Sequence, residues 1–223
     1  MDRKLFWNAV MKFVLGVILV GTLLFLSAGT LHYPNAWLFM GILFVPMFIA
    51  GIVMMIKNPE LLRKRLNVKE QQSEQSLVIK LSGLMFLTGF VLAGLDYRFG
   101  WLPLPQNISY IAASVFLIAY LLYAEVLREN SYLSRTIEVQ EEQKVVDTGL
   151  YGIVRHPMYG ITIFLFLAMP LVLGSLISFV VFLFYPLLIV KRIKNEENVL
   201  EEELSGYADY KQKVHYRLIP FVW

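Results

Sequence analysis

Long apolar stretches separated by short polar segments dominate the chain. Between Lys12 and Lys57 lie 44 residues without an acidic or basic side chain. As one α-helix this run would be about 66 Å long, roughly twice the thickness of a bilayer's hydrocarbon core. It must therefore fold back, and Tyr33-Pro34-Asn35 is the natural turn. The pattern predicts a first membrane span near 6–29 and a second near 35–56.

The middle of the chain continues this alternation. A polar segment at 57–76 is followed by apolar runs that predict spans three and four, near 77–97 and 107–127. A rigid aromatic turn between them contains Trp101, a residue suited to a membrane interface. The long polar segment 128–156 comes next, with an alternation typical of a β-strand at residues 136–140, Thr136-Ile137-Glu138-Val139-Gln140.

A second uncharged run, of 34 residues, extends from Pro157 to Val190. At about 51 Å as a single helix it is too long for one crossing, and Pro170 or Gly174-Ser175 offers the break. This run predicts a hairpin of two spans, near 157–173 and 176–192, followed by a polar, helical tail at 193–223.

These patterns predict an all-α, polytopic membrane protein with about six transmembrane helices, the last two forming a hairpin. We expect N-terminal transmembrane helices at 1–124 and a region at 125–223 that holds a cytosolic loop, the hairpin and the C-terminal tail. The first apolar run exceeds the roughly 7–15 residues of a signal-peptide core, so we expect it to be retained as a span.

Composition and charge support a membrane protein. The chain is 57% hydrophobic and 17% charged, whereas soluble domains are about 45–50% apolar and about 25% charged. If both termini are cytosolic, Arg98 is the one residue among the 20 lysines and arginines that falls in an outer loop. Such a bias is what the positive-inside rule predicts for a protein of the inner cell membrane.

Several kinds of chemistry are excluded by residue content. The chain has no cysteine, which rules out disulfides, thiol catalysis and cysteine-ligated metal. His32, His156 and His215 are too far apart to give a metal-ligand spacing, so no metal is expected. The basic residues lie beside the predicted spans, which indicates contact with lipid headgroups rather than nucleic acid.

Arg155-His156-Pro157 is the first candidate for chemistry. Pro157 opens an apolar helix, where a missing N–H is tolerated, and His156 lies near the N-cap. The free N–H groups of that first turn, together with Arg155, make an anion site. The alternative is structural: Arg155 anchors the span at the membrane surface and His156 caps the helix.

Acidic residues and tyrosines return to the same side after the hairpin. Arg192 and Glu196 are four apart and can pair on one helix face. A carboxylate of Glu196 or Glu197 is a candidate for holding a cation or a ribose hydroxyl, although most charge runs are solvated helix faces. Tyr207 and Tyr210, in the tail, suit docking against the membrane or the 128–156 loop.

At these residues the chain resembles the isoprenylcysteine carboxyl methyltransferase family, within the wider group that contains phospholipid methyltransferases. Its motifs are similar to Arg155-His156-Pro157-Met158-Tyr159, Arg192-Ile193-Lys194-Asn195-Glu196-Glu197 and Gly206-Tyr207-Ala208-Asp209-Tyr210. Arg128-Glu129-Asn130 and Val145-Val146-Asp147-Thr148-Gly149 look like the bacterial branch. The resemblance covers roughly residues 125–220.

The resemblance implies a methyltransferase that uses S-adenosylmethionine and a lipidic or amphiphilic acceptor. It implies donor-binding roles for Val146, Gly149, Tyr151, His156, Pro157, Tyr159, Glu196 and Glu197. Arg155 or Arg217 would orient an acceptor carboxylate, and an amine acceptor would need a base such as Glu125, Glu129 or His215. Two other hypotheses remain open: an NADPH-dependent membrane reductase of the sterol type, and a non-catalytic lipid-binding membrane protein.

Overall fold

The computed structural model describes residues 3–67, 73–134, 137 and 139–223. Their regular structure consists of helices alone. These are α1 (Arg3–Ala28), α2 (Pro34–Lys57), α3 (Pro59–Leu66), α4 (Ser73–Phe99), α5 (Gln106–Glu129), α6 (Pro157–Val172), α7 (Leu176–Phe182), α8 (Tyr185–Glu203) and α9 (Tyr207–Lys213), with a 3-10 turn at Gly149–Gly152.

The multi-pass, all-α prediction is confirmed. Five helical segments are long and apolar enough to cross a membrane, and the shorter apolar helix α6 has 16 residues. The five are Arg3–Ala28, Pro34–Lys57, Gln75–Phe99, Gln106–Glu129 and the α7–α8 segment Leu176–Glu203.

The predicted hairpin consists of α6 followed by α7 and α8. Of the two proposed break points, Pro170 lies inside α6, and the chain reverses at Gly174 with a φ of +78°. Glycine is favoured there because other residues populate this left-handed region at a cost. Helix α8 continues beyond the predicted span end at 192 as far as Glu203, so its last turns carry the acidic residues away from the apolar core.

Hydrogen bonds join the segments that connect the helices at the end of the bundle away from residues 155 and 197. The hydroxyl of Tyr33, before α2, donates to the Leu173 carbonyl at 2.6 Å. Leu104, before α5, donates its N–H to the Gly174 carbonyl at 2.8 Å. The buried Asp96 carboxylate accepts from the Ser175 hydroxyl at 2.5 Å. These bonds hold α2, α5 and the hairpin in one register.

The larger of two hydrophobic clusters contains residues from both halves of the chain, including Leu24, Phe39, Phe116, Phe182 and Ile193, each fully buried. Helices α1 and α4 touch at Gly94, where an added Cβ would lie 2.6 Å from the Leu24 carbonyl oxygen. The division of the chain near residue 124 stays a prediction.

The β-type alternation at 136–140 does not correspond to a strand among the residues that the structure describes. Ile137, Val139 and Gln140 have no regular secondary structure, while Thr136 and Glu138 lie outside the described residues. Gln140 instead joins a local turn: its N–H donates to the Gln143 side chain at 2.9 Å, and its side-chain amide donates to the Tyr132 carbonyl at 2.6 Å. Side-chain bonds of this kind replace a strand ladder.

Candidate functional site

Glu197 is the centre of a buried cluster of charged groups. Its Oε1 accepts from Arg155 Nε at 2.7 Å and lies 3.3 Å from His156 Nε2. Its Oε2 accepts from Arg217 Nε at 2.8 Å. The Arg155 and Glu197 side chains are 4% and 3% exposed. The predicted convergence of the two polar segments across the hairpin is therefore confirmed.

Arg155 is also bound to the C-terminal tail. Its Nη1 donates to the carbonyls of Val214 at 2.7 Å and His215 at 2.8 Å. Its backbone N–H donates to the Tyr216 carbonyl, and the N–H of His156 donates to the Arg217 carbonyl, both at 2.9 Å. This arrangement favours a role for Arg155 in positioning Glu197 and the tail over direct contact with an acceptor.

A second polar group contains Glu196, the residue that precedes Glu197 in α8. The Tyr159 hydroxyl donates to Glu196 Oε2 and accepts from Arg192 Nε at 2.8 Å. The Arg192 guanidinium also lies over the Tyr159 ring, 5.8 Å from its centroid. The expected pairing of Arg192 with Glu196 therefore includes a tyrosine hydroxyl that bridges the two charges.

Two carboxylates lie beside the ring of His156, the residue that precedes α6. The N–H groups of Tyr159 and Gly160 donate to the His156 carbonyl at 3.1 and 3.3 Å. The Glu196 carboxylate lies 3.9 Å from His156 Nδ1, in addition to the Glu197 contact. Both glutamates contact the His156 ring rather than the N–H groups of the first turn, so the anion site expected at those N–H groups stays a prediction.

The 3-10 turn at Gly149–Gly152 presents Tyr151. The Glu129 carboxylate anchors this turn by accepting from the Thr148 hydroxyl at 3.0 Å and from the Leu150 N–H at 3.2 Å. Gly149 has a φ of +50°, and an added Cβ would lie 2.1 Å from Glu129 Oε1. Glycine is required here because a side chain would meet the anchoring carboxylate.

A cavity lies between the 128–156 loop, α6, α8 and α9, and it is called the polar cavity below. Its lining includes Val146, Tyr151, Arg155, His156, Tyr159, Arg192, Glu196, Tyr207 and Tyr210. The buried hydroxyls of Tyr151 and Tyr207 find no hydrogen-bond partner among the described residues. Burial raises the pKa of both hydroxyls, so each remains a protonated donor.

A second cavity adjoins the first and is called the apolar cavity below. Its walls come from α4, α6 and α8, and include Val78, Phe86, Phe166, Tyr185 and Ile189. The two cavities have four lining residues in common, which are Ser134, Met158, Tyr159 and Arg192. The site therefore combines a polar compartment with an apolar one along a shared wall.

The predicted site residues separate into two groups. Val146, Tyr151, Arg155, His156, Tyr159 and Glu196 line the polar cavity. The second group does not line this cavity but adjoins or contacts residues that do: Gly149, Pro157, Glu197 and Arg217. Glu125 pairs with the exposed Arg128, and His215 is exposed on the tail. The described residues contain no cluster of histidine, aspartate and glutamate suited to a metal.

Several lining residues were missed as site residues. Tyr207 and Tyr210 belong to the tail motif, Arg192 to the Arg-x-x-x-Glu-Glu motif and Asn130 to the Arg128-Glu129-Asn130 segment, so each had a sequence signal. Gly206, with a φ of +83°, begins α9 and turns the two tyrosines toward the cavity. Arg65, on the rim of the apolar cavity, had no such signal.

The fold and the site together define a multi-pass membrane protein with a polar site beside an apolar cavity. Residues 108–202 match the family described as "Isoprenylcysteine carboxyl methyltransferase (ICMT) family". The solved structure of the eukaryotic intramembrane Ras methyltransferase ICMT is similar, with a TM-score of 0.56 at 20% identity over 92% of this chain and 74% of that chain. The resemblance to the ICMT family is confirmed over the region that carries its motifs.

Part of the chain is also similar to a sterol reductase. The Delta(14)-sterol reductase TM7SF2 of Mus musculus is 30% identical over 91 residues, which make up 40% of this chain. The matched segment covers 22% of the reductase, so most of that protein has no counterpart in the match.

Proposed function

We propose that this protein is an integral membrane methyltransferase of the bacterial-type branch of the ICMT family. It transfers a methyl group from S-adenosylmethionine to a lipidic or amphiphilic acceptor, such as an isoprenylcysteine carboxylate. The reaction takes place at the cytosolic face of the inner cell membrane, with both termini cytosolic. The observation that carries this proposal is the wall of four residues shared by the polar and apolar cavities.

The residues of the polar cavity fit the methyl donor. The Tyr207 hydroxyl is a buried donor that finds no partner among the described residues, and together with the Tyr151 hydroxyl it matches the carboxylate and ribose oxygens of the methyl donor. Glu196, 21% exposed, matches its amine. Tyr159 lines the same cavity, and an aromatic ring favours a cation such as a sulfonium. Val146 adds an apolar wall for the adenosine.

When bound, S-adenosylmethionine supplies a methyl group on a positively charged sulfur, which leaves as a neutral thioether with the electron pair of the broken C–S bond. The protein's own part is alignment and exclusion of water, which together supply much of the rate in a transfer of this kind. Arg155, Arg217 and His156 fix Glu197, and this cluster holds the start of α6 against the tail. The start of α6 carries Tyr159 into the site.

The acceptor's tail occupies the apolar cavity, and its nucleophilic head lies at the shared wall. None of the candidate bases Glu125, Glu129 and His215 lines the described part of either cavity. A carboxylate acceptor has no proton to lose before it takes a methyl group, whereas an ammonium group does. O-methylation of a carboxylate would therefore need no base, whereas N-methylation would need one.

Donor binding tests the proposal directly. Calorimetric titration of the purified protein with S-adenosylmethionine should show binding, and Glu196→Gln should weaken it about tenfold or more, as expected for loss of a charge-assisted bond. Glu125→Gln removes the same charge at an exposed site outside both cavities and serves as the control. Unchanged affinity in folded Glu196→Gln, Arg155→Ala, His156→Ala and Glu197→Ala variants would refute the assignment.

A second candidate function is an NADPH-dependent membrane reductase, which the 30% identity to a sterol reductase favours. The two hypotheses differ in the ligand of the polar cavity. Titration with NADPH in parallel with S-adenosylmethionine separates them, because only one should bind with an affinity that Glu196→Gln changes. Incubation of the protein with methyl-labelled S-adenosylmethionine and a membrane-lipid extract would then identify the acceptor.

A further inference from the structure

The tail changes from polar to apolar after Arg217. Residues 193–217 carry many charged side chains, whereas Leu218-Ile219-Pro220-Phe221-Val222-Trp223 carries none. This segment is called the apolar loop below. Ile219, Phe221 and Val222 within it are 50%, 88% and 74% exposed. Exposed apolar side chains that adjoin one another mark contact with another protein or with a membrane, so the loop needs a partner surface.

The backbone of the apolar loop is hydrogen-bonded within itself. The N–H groups of residues 217, 218 and 219 donate to the Trp223 carbonyl at 2.9, 3.0 and 3.3 Å. Those of Val222 and Trp223 donate to the Ile219 carbonyl at 3.1 and 3.2 Å, and Pro220 has no N–H to satisfy. Backbone groups that are paired inside the protein can enter a lipid environment, where unpaired ones are costly. The loop is therefore suited to an apolar partner.

Apolar side chains lie on both sides of this loop. Leu218 and Trp223 pack against the larger hydrophobic cluster, so the exposed side chains are those on the other side. Phe221 has a φ of +65°, which a bulky residue adopts only at a cost. Burial of its exposed ring in an apolar partner would offset that cost.

The position of the loop beside α6 identifies the partner. The Leu218 carbonyl oxygen lies 3.6 Å from the place of an added Cβ on Gly160, in the first turn of α6. Phe164, four residues further along, lies on the same face of this helix and is 59% exposed. The loop therefore adjoins the face of α6 that is open to lipid.

The length of α6 indicates the depth of the loop. This helix has 16 residues, none of them charged, and is about 24 Å long. The hydrocarbon core of a bilayer is about 30 Å thick, so the first turn of α6 lies no further out than the edge of that core. A segment that contacts Gly160 lies at this edge, where an aromatic residue such as Trp223 is favoured. The partner with matching chemistry is the lipid of the surrounding bilayer.

We propose that the exposed side chains of the apolar loop insert into the bilayer beside the start of α6, on the side of the membrane that holds the site. This contact goes beyond the proposed function, because it requires a membrane and no particular reaction. Arg217 joins the loop to the site, since its guanidinium lies 5.1 Å from the centroid of the Trp223 ring and its Nε donates to Glu197. The lipid contact therefore holds the tail against the buried cluster around Glu197.

Spin labels measure the depth of the loop. The chain has no cysteine, so Phe221→Cys gives a single labelling site in the full-length protein, reconstituted in liposomes of phosphatidylcholine and phosphatidylglycerol. Phe164→Cys, on the exposed face of α6, and Glu202→Cys, exposed on the last turn of α8, are the lipid and water references. The ratio of oxygen accessibility to nickel-chelate accessibility should be several-fold higher at 221 than at 202 and should approach that at 164.

Two results of this measurement would overturn the proposal. A ratio at 221 equal to that at 202 would place the loop in water. Low accessibility of the label at 221 to both reagents would place the loop against protein, such as a second copy of this chain.

A matched pair of substitutions tests whether apolar side chains hold the loop in lipid. With the label at 221, Val222→Asp should raise the nickel-chelate accessibility several-fold, because a charge is unfavourable in the apolar part of a bilayer. Gln212→Asp adds the same charge at an exposed position on α9 and should leave the label unaffected. An equal response to both substitutions, or none to Val222→Asp, would contradict insertion.

Trp223 gives a measurement that needs no label. In a variant with Trp7→Phe, Trp37→Phe and Trp101→Phe, the tryptophan fluorescence comes from Trp223 alone. Lipids brominated near the headgroup end of their acyl chains should quench this emission more strongly than lipids brominated near the methyl end, because the loop lies at the edge of the hydrocarbon core. Emission that neither lipid quenches would overturn the proposal.

Discussion

The guanidinium of Arg155 and the carboxylate of Glu197 form a 2.7 Å hydrogen bond across 42 residues of sequence, with both side chains almost completely buried. Arg155→Met should destabilise the protein by about 3–5 kcal/mol, because removal of one partner leaves a buried charge under-compensated. The change is measured from the midpoint of thermal unfolding in detergent micelles.

Arg128→Met is the matched control for this first prediction. Arg128 forms a 2.6 Å ion pair with Glu125, but the two side chains are 73% and 46% exposed. Exposed pairs contribute little to stability because solvent and salt screen the two charges. A stability loss of equal size in the two variants would contradict the view that burial gives the Arg155–Glu197 pair its importance.

Tyr207 and Tyr210 should respond differently to removal of a hydroxyl. Tyr210 donates to the Tyr151 carbonyl at 2.7 Å, so Tyr210→Phe should destabilise the protein by about 1 kcal/mol. The Tyr207 hydroxyl has no partner in the described chain, so Tyr207→Phe should leave unfolding of the ligand-free protein unchanged or slightly improved. Tyr207→Phe should nevertheless weaken S-adenosylmethionine binding several-fold in calorimetric titration. Retained affinity would show that this hydroxyl has no ligand to bind.

Gly149→Ala should disrupt the 3-10 turn that carries Tyr151. The alanine would adopt an unfavourable positive φ, at about 1 kcal/mol or more, and its Cβ would also meet the Glu129 carboxylate. Gly100→Ala measures the backbone effect alone, because Gly100 has a φ of +63° and no neighbouring atom within 4 Å of an added Cβ. We expect the first variant to lose donor binding and the second to keep it. Equal donor binding in both would argue against the turn's role.

Gly83→Leu should obstruct the apolar cavity. Gly83 lines this cavity, and an added Cβ there would have no neighbouring atom within 4 Å. The leucine should therefore raise the KM for long-tailed acceptors while donor affinity stays unchanged. Gly41→Leu places the same side chain at an equally open position on α2, outside this cavity, and should alter neither quantity. An unchanged KM in Gly83→Leu would place the acceptor tail elsewhere.

The topology can be mapped without background labelling, because the chain has no cysteine. His32→Cys, in the turn between α1 and α2, and Lys213→Cys, at the end of α9, should react with a membrane-impermeant thiol reagent from opposite sides of intact inner-membrane vesicles. We expect Lys213→Cys to be accessible from the cytosolic side. Labelling of both positions from one side would refute the orientation.

The sequence allowed prediction of those features that depend on helix length and membrane thickness. The turn near Tyr33, the hairpin at Gly174 and the approach of Arg155 to Glu197 follow from runs too long for a single crossing. Other features depend on the rotation of a helix about its own axis. Glu196 and Glu197 are adjacent, yet only Glu196 lines the polar cavity, and packing of α8 decides which of them does so.

Contacts between distant polar segments were the least predictable. Arg65 lies in a basic segment whose composition indicated only proximity to headgroups, and its position depends on the docking of Leu61 and Leu62. Apolar and polar residues alternate at 136–140 as they do in a strand. Such a period-two pattern does not identify a strand by itself, because it also occurs in irregular loops. Gln140 bonds locally to Tyr132 and Gln143 instead, which no pattern of apolar residues reveals.

The backbone pairing of residues 155 and 156 with residues 216 and 217 has a consequence for biosynthesis. The candidate spans among the described residues all precede residue 204, so the residues that pair with 155 and 156 are synthesised after them. The ionic network of Arg155 and Glu197 also includes Arg217 and the carbonyls of residues 214 and 215, which lie in the tail. The pocket can therefore be complete only after residues 214–217 have been synthesised.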